Sequence, residues 1–163
     1  MEDLLPYHIT WVTHNSRVSE RMVQFGVKRG EPVVLNNDDE VEITRYIAHM
    51  VHEEELRVIA YNICRDHVHM ILLCTELEKD NIIRKFKGKS AQLYKHKHGY
   101  KEEFHLWAQK YSYTPIESDE QMMNTIEYIQ YNREKHNLPC NKGLQPLVDG
   151  MIMPFAEVLQ ILG

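Results

Sequence analysis

Two histidines one residue apart in a strand-like run are the first place in this chain where chemistry could gather. In Arg65-Asp66-His67-Val68-His69-Met70-Ile71-Leu72 the side chains of His67 and His69 share one face, because strand side chains alternate. Two imidazoles about 7 Å apart along a strand can converge on one cation. Val68, Met70 and Leu72 then face the opposite way, toward a core. Taken alone, such a pair reads more often as two half-buried histidines. Cys64 has the wrong parity to join them on an unbroken strand, which argues against a Cys-His-His zinc site. A second set lies in Glu127-Tyr128-Ile129-Gln130-Tyr131-Asn132. Helical i, i+4 spacing puts Tyr128 and Asn132 on one face, with Ile126 and Ile129 turned to the core. Alone, this is an ordinary amphipathic helix with tyrosines at its core edge.

The two sets gain meaning together. A phenol is a poor nucleophile at neutral pH, so attack on a phosphodiester needs charge offset at the phosphate. A divalent cation held by His67, His69 and the amide oxygen of Asn132 supplies that offset as a Lewis acid. Tyr128 can then take the covalent step, storing the phosphodiester energy so that rejoining needs no ATP. Imidazole and oxygen donors suit Mg²⁺ or Mn²⁺, the latter better matched to two nitrogens. If Tyr128 is not the nucleophile, Tyr131 is the next candidate.

The elements that must position these residues are legible in outline. Tyr7–Thr13 is rich in β-branched and aromatic residues and predicts a strand. The stretch from Arg17 to Gly30 is ambiguous and partly helical in character. The polar cluster Asn36–Asp39 can cap a helix from about Glu40 to Glu53, whose Val41, Ile47, Ala48 and Val51 make one apolar face. Leu56–Cys64 and His67–Cys74 read as a hairpin turning at Arg65-Asp66. Asn81–His96 predicts a helix stopped by Gly99. Phe104–Ile116 is a loop entering a short strand that ends at Pro115. Ser118 or Asp119 can cap a helix over about Glu120–His136, and Pro139 ends it. The apolar residues after Cys140 pack back on the domain or on a partner. This order gives an α+β class: a ferredoxin-like antiparallel sheet with helices packed on one face. Residues 1–138 form the domain and 139–163 a C-terminal tail.

The chain of 163 residues suits one core. No apolar run approaches the ~20 residues that span a bilayer, and the acidic start lacks the features of a signal peptide. These point to a cytoplasmic protein with no membrane partner. Three cysteines without a CxxC pair suit neither a disulfide scaffold nor a four-thiolate zinc site. The net charge of −5 runs against a nucleic-acid partner. Its distribution does not, because Asn81–Lys101 lacks any acid and carries Arg84, Lys85, Lys87, Lys89, Lys95, Lys97 and Lys101.

These segments together resemble the IS200-like single-tyrosine HUH transposases, and within them the REP-associated tyrosine transposases. His67-Val68-His69 is similar to the His-hydrophobe-His motif of that group. Lys87-Gly88-Lys89-Ser90 resembles its K-G-x-S helix, Trp107 to Tyr111 its W-x-x-x-Y segment, and Tyr128-Ile129-Gln130-Tyr131-Asn132 its Y-I-x-x-N nucleophile helix. His8 to His14 fits its first strand, so the likeness runs in order from about Tyr7 to His136. The resemblance implies a bacterial transposase that cleaves and rejoins single-stranded DNA through a 5′-phosphotyrosine on Tyr128. It implies a Mg²⁺ or Mn²⁺ site from His67, His69 and Asn132, and DNA with hairpin ends. Arg84, Lys85, Lys87 and Lys89 would meet phosphates, and Trp107, Tyr111 and Tyr94 would offer stacking surfaces. Relatives act as dimers, with the tyrosine helix serving the partner's histidines, or as monomers, so a homodimer is one of two arrangements implied. Asp66 and Arg133 depart from the family's usual Asn and Pro. Two other readings stand beside this one: a non-catalytic DNA or RNA hairpin-binding protein, and a metal-dependent phosphoesterase that uses water.

Overall fold

In the computed structural model, which describes residues 3–17, 20–28 and 30–163, a strand opens the chain and short helices close it. The order is β1 (Leu5–Val12), α1 (Glu20–Gln24), α2 (Asn37–Glu53), β2 (Arg57–Cys64), β3 (His67–Cys74), α3 (Glu76–His98), β4 (Ser112–Pro115), α4 (Asp119–Gln130), α5 (Asn132–Lys135), α6 (Leu144–Met151) and α7 (Phe155–Leu162). The strands form one antiparallel sheet in the order β2-β3-β1-β4. With α2 and α3 as the crossovers, this is the ferredoxin-like arrangement expected. The described part of the ambiguous 17–30 stretch contributes only α1, which buries no side chain; positions 18, 19 and 29 fall outside the described residues.

The central strand β3 is buried along its whole length and sends alternate side chains to two different cores. Val68, Met70 and Leu72 join Ile9, Trp11 and Ile63 beneath Ile43 and Ile47 of α2 and Ile83 and Phe86 of α3. Ile71 and Leu73 meet Met122 and Ile129 of α4 and Val158 of α7 on the opposite face. The two long helices thus share one face, as expected, while α4 and α7 cover part of the other. Within residues 139–163, α6 packs against α2 and β2, and Val158 joins the core on the α4 face.

Capping sets the helix starts. Asn36 and Asp39 form a reciprocal capping box for α2, so the helix begins at Asn37 rather than near Glu40. Thr75 and Glu78 do the same for α3 immediately after β3, five residues before the expected start at Asn81. The Glu76–Asp80 run has no apolar periodicity to announce a helix, so its cap is the only signal. Gly99 ends α3 in the left-handed region at φ 67°. The helix expected over Glu120–His136 instead stops at Gln130; Tyr131, with ψ 15°, is the joint between α4 and α5.

Phe86 is fully buried and stacks on Trp11 with ring centroids 6.3 Å apart. Phe86→Ala is expected to cost about 3–5 kcal/mol in urea denaturation, whereas Leu77→Ala, at 80% exposure, should change stability by less than about 0.5 kcal/mol.

Candidate functional site

The sheet's open face carries the histidine pair. β1 sets Thr10 beside His69, and β2 sets Asn62 beside His69 and Cys64 beside His67. His67 and His69 lie edge to face with centroids 4.9 Å apart, 5% and 7% exposed. Each ring is held through Nδ1. His67 Nδ1 is 2.7 Å from Asp66 Oδ1, and Asp66 in turn accepts from Arg17 at 3.1 Å. His69 Nδ1 is 2.9 Å from Thr10 Oγ1 and 3.1 Å from His8 Nε2. Holding Nδ1 fixes the ring and leaves Nε2 for other work.

Electrostatics separates the two imidazoles. Burial works against the charged form of His67, but hydrogen bonds with Asp66, Cys64 and Asn132 outweigh it and raise its pKa to about 9. His69 is pushed down to about 3, first by burial and then by the charge of His67. The His67 hydrogen bond, aided by Arg17, holds Asp66 well below the usual carboxylate range against the opposing effect of burial. Burial also lowers His8.

The late helices bring the other two residues in. Tyr128 is 38% exposed, with its ring perpendicular to that of His69 at 5.4 Å and at 69° to that of His8 at 6.1 Å. Lys135 Nζ sits 4.3 Å from the Tyr128 ring centroid. Tyr131 points elsewhere, lining a hollow with Ile59, Asn62 and Leu144. Asn132 is fully buried, and its Oδ1 accepts from His67 Nε2 at 2.7 Å and from Cys64 Sγ at 3.1 Å. Its Nδ2 has no partner among the described residues. Cys64 therefore corrects the parity argument: counting along one strand ignores the two-residue turn, and the hairpin sets Cys64 opposite His67 on the same face.

The α4–α5 joint is fastened from several sides. Asn62 Nδ2 donates to the Ile129 carbonyl at 2.9 Å. Arg133 donates to Glu40 Oε1 at 2.7 Å, to the Ile63 carbonyl at 3.1 Å and to the Pro139 carbonyl at 3.0 Å. Asn141 adds a second donor to Glu40 at 3.0 Å. The residue next to Asn132 is thus bolted to α2 and β2.

Among the described residues, no three His, Cys, Asp or Glu side chains are grouped to hold a metal. A cation on this face would need an amide oxygen as its third donor. His67 Nε2, His69 Nε2 and Asn132 Oδ1 are the nitrogen and oxygen donors that could supply that set, with both Nδ1 atoms already held. Cys64 lies beside the set, on the Asn132 oxygen.

The basic residues lie behind the opposite face, along α3. A groove of about 1010 Å³ runs between α3 and the 100–111 segment, with Arg84, Lys87, Lys89 and Lys95 in its wall. Arg84 and Lys89 make no ion pair among the described residues. Lys85 pairs with Glu54 at 2.8 Å, and Lys87 holds the carbonyls of Gln109 and Lys110. Trp107 does not offer the free face expected of a stacking surface. It is 7% exposed, donates to Ser90 Oγ at 2.9 Å and packs edge-on against Trp11, because an isolated β-bridge to Thr13 draws it into the core. Tyr111 is half-buried and bonds Asp80; Tyr94 is buried. Residue pattern along the chain does not mark His8 or Thr10 as site residues, and it sets Cys64 apart from the histidines. Only the strand register, which the sequence does not state, puts them beside the histidines.

The family described as transposase IS200 like matches residues 3–132, most of the chain. A solved structure of a REP-associated tyrosine transposase bound to a REP hairpin superposes with a TM-score of 0.56 at 16% identity, covering 85% of this chain and 72% of that one. A candidate transposase from Deinococcus radiodurans R1 aligns at 21% identity and a TM-score of 0.46, over 78% of this chain and 89% of that one. No curated protein matches the chain. Among the described residues no helix is long and apolar enough to cross a membrane.

The fastening of the joint gives a stability test. Glu40→Ala strands the buried Arg133 guanidinium and should cost about 3–5 kcal/mol, read as a lowered urea midpoint with an unchanged slope.

Proposed function

Because the chain belongs to the IS200-like transposase family, we propose that it cuts and rejoins single-stranded DNA with Tyr128 as the nucleophile. The observation that carries this is the meeting, within one chain, of the Tyr128 ring with His69 beside the His67–Asn132 contact. That meeting supports a site completed in cis.

In the proposed reaction the Tyr128 oxygen attacks the scissile phosphorus and loses its proton. The bond from phosphorus to the 3′-oxygen breaks, and that oxygen leaves as a 3′-hydroxyl carrying a proton. The 5′-phosphate stays on the tyrosine until an incoming 3′-hydroxyl reverses the step. His67, His69 and Asn132 are the residues that would hold Mg²⁺ or Mn²⁺, which when bound supplies Lewis-acid stabilisation of phosphate charge. Asp66 and Thr10 keep the two rings oriented through Nδ1. Lys135 places a positive charge against Tyr128, where the phosphate's negative charge would arrive.

The related transposase whose structure holds a REP hairpin suggests the DNA partner. We place such a hairpin at the α3 groove, with Arg84 and Lys89 free to meet phosphates. Groove and Tyr128 belong to opposite faces of the sheet, so duplex in the groove reaches the tyrosine only through unpaired strand passing the sheet edge. That geometry favours a single-stranded cleavage site next to a folded one.

A second reading, hairpin binding without cleavage, is favoured by the burial of the three proposed ligands: 5% exposed for His67, 7% for His69 and 0% for Asn132.

Incubation with a random single-stranded DNA pool and Mn²⁺ should give a covalent adduct that survives denaturing electrophoresis. Tyr128→Phe should give none and Tyr131→Phe should retain it. DNA binding without adduct in the parent protein selects the second reading. The double variant Arg84→Ala, Lys89→Ala should weaken hairpin binding and reduce the salt slope by about one unit per lost phosphate contact; an unchanged slope moves the hairpin off the groove.

A further inference from the structure

Beside Tyr128, between β1 and the exposed side of α4, lies a hollow of about 490 Å³ lined by His8, Ser118, Glu120, Gln121, Asn124, Thr125 and Tyr128. It lies within the size range of small-ligand sites, and the roles above leave it unused. We propose that it seats an unpaired adenine flanking the scissile phosphate, with the Asn124 amide reading the base edge. The inference rests on the reading of Tyr128 as nucleophile and adds a determinant of sequence choice to it.

Most of the polar groups in the hollow are committed to the chain itself. Gln121 Oε1 accepts from the Glu117 amide at 2.9 Å, and its Nε2 donates to the Pro115 carbonyl at 3.2 Å. Ser118 Oγ accepts from the Gln121 amide at 3.1 Å as the α4 cap. Thr125 Oγ1 donates to the Gln121 carbonyl at 2.7 Å. Asn124 makes no hydrogen bond among the described residues and is exposed. It therefore keeps a donor and an acceptor side by side, the pair that an Asn amide offers to adenine N6 and N7.

Position and charge agree with this. Asn124 precedes Tyr128 by about one helical turn on the same face, about 6 Å along the axis, so one nucleotide can place its phosphate at the phenol and its base at the amide. Across the hollow, the His8 ring is half-buried and fixed by its contact with His69 at 3.1 Å, an aromatic surface beside the base. Glu120 makes one end of the hollow unfavourable to phosphate, and Lys135 lies against Tyr128. The charges thus orient a nucleotide with its phosphate toward the tyrosine.

The test sequences the products formed by the full chain with Mn²⁺ and a random single-stranded DNA pool. The attached strand reports the base 3′ to the cut, and the 3′ end of the released strand reports the base 5′ to it. The parent protein should enrich adenine at one of these positions by about tenfold or more. Products from Asn124→Ala should lose that enrichment, and those from Asn124→Asp, which can only accept, should shift toward cytosine. Adducts from the parent with no preference at either flank overturn the proposal, as do variants with the parent's preference. A variant that forms no adduct with any sequence also overturns it, because a reading group redistributes products rather than abolishing them. Absence of adduct from the parent itself rejects the nucleophile reading instead.

Discussion

A single buried contact, His67 Nε2 against Asn132 Oδ1 at 2.7 Å, joins the middle of the sheet to the last part of the chain that the family covers. Both partners are cut off from water, so each must be satisfied by the other or by a ligand between them. The contact is one-sided in an informative way. The amide oxygen takes donors from both His67 and Cys64, while the amide nitrogen takes none. A buried polar group left unpaired costs about 1–3 kcal/mol. The fold bears that cost here because neighbouring contacts hold the amide in place.

Those contacts explain the broken helix. A continuous helix through Asn132 would carry its direction unchanged past the sheet. The joint at Tyr131 instead lets Arg133 reach Glu40 and the Ile63 carbonyl while Asn132 turns to His67. Arg133, where the family usually has proline, thus ties α5 to two other elements through its side chain. Removing either charge would leave the other buried and unpaired, so the pair specifies position more than it adds net stability. Together with the Asn62 bond to the Ile129 carbonyl, it holds α4 at the height that sets Tyr128 beside His69.

Period-two and period-3.6 patterns carried the parts of this arrangement that depend on one element alone. The shared face of His67 and His69 and the opposite face of Val68, Met70 and Leu72 are local, whereas the i, i+4 link of Tyr128 and Asn132 presumes one helix, and the chain breaks that helix at Tyr131. What failed or went unseen depends on two elements at once. Counting along one strand puts Cys64 on the far face, yet the hairpin turn reverses the count. His8 and Thr10 reach His69 only through the β1–β3 register. Trp107 looks like a free aromatic in a loop, but a single bridge to Thr13 buries it. Capping moved helix boundaries for the same reason: Thr75 and Glu78 act as a reciprocal pair where apolar periodicity is silent.

The net charge of −5 gives a poor account of the field around this molecule. Much of the acid lies on α2 and just after it, where it is already engaged: Glu40 with Arg133, Glu42 with Lys97 and His98, and Glu54 with Lys85. A carboxylate in a close ion pair projects little potential beyond its partner, and salt screens the remainder within about 8 Å. Arg84 and Lys89 in the α3 groove have no such close partners among the described residues, although Asp80 and Glu102 line the same groove. Near Tyr128, Lys135 lies against the ring. Part of the acid is engaged with the chain's own cations while Arg84, Lys89 and Lys135 are in no ion pair among the described residues, so an acidic chain can still present local positive charge in the α3 groove and beside Tyr128.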